Sequence, residues 1–134
     1  MTLEHLYPEG LRRPPTYTPV VRATGGTTLY LSGQVPVDGE GNLVDPNEFA
    51  GQAKQVFENL RLALAGGGAT FADLVRMTTY IVGFNEERRA AFSAARIAAM
   101  GDAVCASTLL GVATLAQPGF QIEVEGIAVV ATAR

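Results

Sequence analysis

A chain of 134 residues, 48% apolar and 17% charged, has the size of one folded domain and lies outside the low-hydrophobicity, high-charge regime of disordered chains. Ten basic and thirteen acidic residues give a net charge of -3, with no basic run longer than Arg12-Arg13 or Arg88-Arg89, so no nucleic-acid partner is expected. A single cysteine, Cys105, and a single histidine, His5, exclude an intrachain disulfide and a His/Cys zinc site within one chain.

The N-terminus lacks a basic start followed by an apolar core, and no segment approaches the roughly 20 apolar residues of a membrane span, so a cytoplasmic protein without a membrane partner is expected. One domain over residues 1–134 is predicted, with an irregular arm over 1–17 broken by Pro8, Gly10, Pro14 and Pro15. Thr18 to Ala23 and Thr27 to Ser32 read as two antiparallel strands joined by a Gly25-Gly26 hairpin turn. Asp45-Pro46-Asn47-Glu48 reads as a helix start, with Asp45 as the cap and a glutamate three positions later. The helix that follows carries Phe49, Ala53, Val56, Phe57, Leu60 and Leu64 at three- and four-residue spacing and ends at Gly66-Gly67-Gly68.

A strand over 75–82 leads to a helix capped by Asn85, with Glu86 and Glu87 near its positive end and a stop near Gly101. Strands over about 107–113 and 120–131 flank a Gln-Pro-Gly turn. The order ββαβαββ predicts an α+β fold with two helices on one face of a mostly antiparallel sheet. The last strand carries apolar residues on both sides, so its helix-free face is expected to be buried by a second copy of the chain.

Most catalytic apparatus is missing. His5 stands alone, which excludes a Ser/His/Asp triad or a Cys/His dyad, and no dinucleotide or Walker glycine motif occurs. The glycines at 66–68 end a helix instead of opening one, so they lack the positive end that binds phosphate. Cys105 has no cationic neighbour in sequence and reads as a structural thiol. Glu123 and Glu125, two positions apart on a strand, share a face at roughly 7 Å. They fit either structural ion pairs with Arg22, Arg76 or a neighbouring subunit's arginine, or a carboxylate that orients water and moves a proton.

Ser32-Gly33-Gln34 followed by Pro36, Asp38 and Gly41 resembles the early signature of the Rid/YjgF family of reactive-intermediate deaminases, also known as endoribonuclease L-PSP. The resemblance continues in order through Gln55, Asn59, Leu60 and Leu64, then Gly68-Ala69-Thr70 with Asp73-Leu74-Val75, and Ile122-Glu123-Val124-Glu125-Gly126-Ile127-Ala128, covering about residues 17 to 130. It implies a chorismate-mutase-like fold and a homotrimer with clefts between subunits, where imines or enamines are hydrolysed to carbonyl compounds and ammonia without metal or organic cofactor. It also implies that Glu123 holds the attacking water and that Tyr17, Ser32 and Gly33 line the cleft around a small-molecule substrate. Active deaminases of the family carry an arginine in a Pro-Ala-Arg-Ser-like segment; here the matching run is Cys105-Ala106-Ser107-Thr108, so Ser107 occupies that substrate-binding position. A serine hydroxyl reproduces neither the charge nor the two-pronged geometry of a guanidinium on a carboxylate. Three outcomes stay open: a neutral or differently anchored imine, an arginine from elsewhere such as Arg22, or metabolite binding without turnover. RNA cleavage, attributed to some family members, fits the acidic balance poorly.

Overall fold

The computed structural model describes residues 1–132. Its first strand, β1 (Thr2–Leu6), pairs antiparallel with β2 (Val20–Thr24), from Thr2 opposite Thr24 to Leu6 opposite Val20. This corrects the expected irregular arm over 1–17. Residues 2–6 contain no proline or glycine, and the breakers begin only at Pro8, so a strand forms once a partner is in reach. Buried Thr18 fastens the ribbon: its hydroxyl donates to the Leu6 and Val20 carbonyls at 3.1 and 3.2 Å, and its N–H to the Cys105 carbonyl at 3.1 Å.

The predicted hairpin between 18–23 and 27–32 does not form a ladder. Gly25 and Gly26 do take positive φ values of 70° and 83°, yet β3 (Thr27–Gln34) leaves the ribbon and joins a separate four-stranded sheet. A Cβ on Gly26 would sit 2.6 Å from the Val130 carbonyl oxygen, so the turn is pressed against the main sheet and hands the chain over to it.

That sheet has the order β3-β6-β4-β5, with β4 at Leu74–Val82, β5 at Ala106–Val112 and β6 at Ile122–Val130. The β3–β6 and β6–β4 pairings are antiparallel, whereas β4–β5 is parallel and needs the crossover that α2 (Glu86–Met100) supplies. The order expected from sequence thus holds with one extra N-terminal strand, and the sheet is mixed. The first helix, α1 (Phe49–Gly66), starts later than expected. Asp45 has φ 40° and cannot take the extended backbone of a cap; residues 45–48 form a turn closed by Glu48 N–H on the Asp45 carbonyl, and Glu48 occupies the cap position without a side-chain bond. For α2 the cap is as expected, Asn85 Oδ1 accepting from Arg88 N–H at 2.8 Å.

Both helices cover one face. Phe57, Leu60 and Leu64 of α1 pack with Leu74, Met77 and Ile81 of β4 and Ile122, Val124 and Ala128 of β6. Phe57 bridges the layers through Phe71 and Phe92, at ring separations of 6.4 and 5.8 Å. Gln52 of α1, a polar side chain, is fully buried. It donates to the Gly119 carbonyl and accepts from Gln121 N–H, both at 2.9 Å, tying α1 to the turn before β6. No helix among the described residues is long and apolar enough to cross a membrane.

Candidate functional site

Strand alternation sends Glu123 and Glu125 to the sheet face opposite the helices, because Ile122 and Val124 are fully buried on the helix side. Across the β4–β6 ladder Glu123 stands opposite Tyr80 and Glu125 opposite Thr78. The Tyr80 hydroxyl donates a short hydrogen bond to Glu125 Oε1. Neither of the expected intrachain ion pairs forms. Arg22 pairs with Glu4 at 2.7 Å on the β1–β2 ribbon, and Arg76 donates to Thr108 Oγ1 at 2.6 Å.

Beside Glu123 the β3–β6 ladder slips. Leu31 pairs with Gly126 and Gln34 with Val124, so Ser32 and Gly33 form a bulge opposite Glu125. The glycine is required sterically: a Cβ at Gly33 would lie 2.5 Å from Glu123 Oε2. The Glu123 carboxylate therefore rests directly on backbone. It is half-buried, and among the described residues no donor reaches it. Burial, followed by the charge of Glu125, raises its pKa above the ordinary glutamate value. Ser32 is exposed, with its carbonyl accepting from Gln34 Nε2 at 2.9 Å.

Tyr17 and Ser107 lie elsewhere. Ser107 pairs with Met77, so it shares the helix side of the sheet with Met77 and Leu109, not the face of Glu123. With Tyr17 it lines a cleft of about 470 Å³ between the 12–17 segment, α2 and β5. The Tyr17 hydroxyl accepts from Arg12 Nη2 at 3.0 Å. One chain thus gathers Gly33 and Glu123 with neighbouring Ser32 at one place, and Tyr17 and Ser107 at another, on the opposite side of the sheet.

The cleft contains a group that sequence reasoning passed over. Arg96 is only 6% exposed and occupies the buried stripe of α2 with Phe92 and Met100. A charge one helical turn after Phe92, inside an apolar stripe, was the available signal. Cys105, close by, behaves as the structural thiol expected: it is buried, which pushes its pKa up to about 11.

The family model described as endoribonuclease L-PSP matches residues 11–130. The chain belongs to this Rid/YjgF family. Among solved Rid structures it is similar to YyfB of Yersinia pestis, a protein of unknown function of the conserved Rid family, at 32% identity and TM-score 0.89 over 97% of this chain and 100% of that one. A putative endoribonuclease of Thermotoga maritima is 29% identical, with TM-score 0.70 over 85% and 86% of the two chains. A 2-iminobutanoate/2-iminopropanoate deaminase of Dermatophagoides farinae is 31% identical over 61 residues, 46% of this chain and 48% of that one. The chain spans about half the length of the curated relatives it matches. Its two helices on a mixed sheet are the Rid architecture.

Proposed function

We propose that this Rid-family chain hydrolyses a reactive imine or enamine to a carbonyl compound and ammonia, in a site assembled between subunits of a homotrimer. The observation that carries the reading is the Glu123 carboxylate, half-buried on the Gly33 bulge with no donor from the described residues, and so free to accept from a water. Similarity to an iminobutanoate deaminase over part of the chain supports the reaction class.

In this reaction the water oxygen bonds to the imine carbon while Glu123 accepts a water proton. Nitrogen takes that proton to complete the carbinolamine, and a second transfer, from the carbinolamine hydroxyl through Glu123 to nitrogen, expels ammonia as the C=O bond forms. An enamine first gains a proton on carbon to reach the same imine. Atoms balance as imine plus water to carbonyl compound plus ammonia, so no redox partner is required. Ser32 and Gly33 form the wall beside the attacked carbon, and Tyr17 and Ser107 of a neighbouring copy face it across the interface. Assembly is part of the proposal, because within one chain the two groups lie on opposite sides of the sheet.

The test is ammonia and 2-keto acid release from freshly generated 2-iminobutanoate and 2-iminopropanoate. The wild type is expected to accelerate release and Glu123→Gln to lose at least 100-fold, as for removal of a general base. No acceleration by wild type, combined with saturable binding, would select the competing reading, a metabolite-binding trimer without turnover, which Ser107 in place of an arginine favours. RNA cleavage has weaker support, since the one histidine is exposed on β1 and the net charge is -3.

A further inference from the structure

Arg96 is a largely buried cation that lines the cleft without a counter-charge among the described residues. It is 6% exposed, and among the described residues its guanidinium makes a single hydrogen bond, from Nη1 to the Thr16 carbonyl at 3.3 Å. No ion pair within the described residues involves it. An arginine offers five N–H donors in a rigid fork, so most of its capacity is unspent, and an uncompensated buried charge is costly to a fold. Desolvation accordingly pushes its pKa below the ordinary arginine value.

The surroundings indicate what would satisfy it. The cleft it lines also contains Arg12, Arg89, Tyr17 and Ser107, and no carboxylate lines its walls. Arg89 is paired with Glu86 at 2.8 Å, whereas Arg12 donates to the neutral Tyr17 hydroxyl and is exposed, which leaves Arg96 as the buried guanidinium of the cleft without a counter-charge among the described residues. Two hydroxyls, from Tyr17 and Ser107, stand ready as further donors.

We propose that Arg96 is the carboxylate anchor of this cleft, reaching it from α2, so that the ligand is an anionic imino or keto acid and not a neutral imine. A planar guanidinium matches a planar carboxylate through two parallel charge-assisted bonds, and desolvation strengthens both. Ser107, small and neutral on the facing strand, leaves room for that carboxylate. The identity of the acid rests on the proposed hydrolase reading; the preference for an anion rests on the cleft alone.

Calorimetric titration of the whole chain with 2-oxobutanoate and with its neutral amide tests this without any turnover. The wild type is expected to bind the acid at least tenfold more tightly than the amide. Arg96→Gln should weaken the acid at least tenfold while leaving the amide unchanged. Should that variant fail to fold, Ser107→Asp decides, since it places a carboxylate opposite an intact Arg96 and is expected to abolish acid binding while the protein keeps its circular dichroism. Equal wild-type affinity for acid and amide, or acid binding unaffected by both substitutions, overturns the assignment. Selective acid binding with no ammonia release would leave the anchor standing and remove the hydrolase reading. Turnover that ignores both substitutions would do the reverse.

Discussion

At the scale of single residues, Glu123 is the group whose ionisation should be visible in solution. Its raised pKa means that the folded chain holds a proton over a pH window in which the unfolded chain has released it. As pH rises from the ordinary value of 4.5 through the raised folded value, Glu123 therefore withdraws stability, and above that window the full cost remains. Urea unfolding at neutral pH should find Glu123→Gln at least as stable as wild type, although inactive. The same shift sets the acid limb of kcat/KM, where protonation removes the acceptor for water; that limb is expected above 4.5. Glu125→Gln removes the smaller of the two causes and should move the limb to lower pH without erasing the burial contribution. Gly33→Ala places a methyl group against Glu123 Oε2 and must displace the carboxylate or the bulge. A displacement near 1 Å can cost about 100-fold in rate, so kcat should fall on that order. The Glu123/Glu125 pair was legible in sequence because strand alternation is a local rule. Arg96 was not, because a lone arginine on a helix is usually solvated, and its burial depends on the 12–17 segment packing across α2.

At the scale of elements, local chemistry and long-range pairing divide what could be read. Asn85 caps α2 through its own side chain, and Gly101 ends it at φ 57°, both fixed by residues within a turn of the helix end. Asn85→Ala should cost about 1 kcal/mol of unfolding free energy, measured in urea, with the midpoint lowered and the slope unchanged. The β1–β2 ribbon and the departure of β3 from β2 could not be read the same way. Gly25 and Gly26 supply the turn geometry, but the choice of partner strand is decided by which ladder buries more, and β6 offers β3 a longer apolar one. The late start of α1 has a similar origin: Asp45-Pro46-Asn47-Glu48 has the composition of a cap, yet the Asp45 carbonyl is committed to closing the turn.

At the scale of the whole molecule, the helices use up one face of the sheet and leave the other to Tyr80, Glu123, Glu125, Ile127 and Leu110, all half-buried, with Tyr30 80% exposed at the β3 side. A single chain covering this face with nothing would expose mixed apolar and acidic surface that a symmetric partner can bury. Light scattering is expected to give three times the chain mass, and a monomer at assay concentration would remove the shared cleft. In the proposed trimer Glu123 of one subunit works with the Arg96 cleft of another. Co-refolding an equal mixture of Glu123→Gln and Arg96→Gln chains, each strongly impaired alone, and measuring ammonia release reads this pairing directly. Random assembly leaves both residues intact at about one interface in four, so about a quarter of wild-type activity should return. Mixed assemblies that form but release no more ammonia than the separate variants would contradict it.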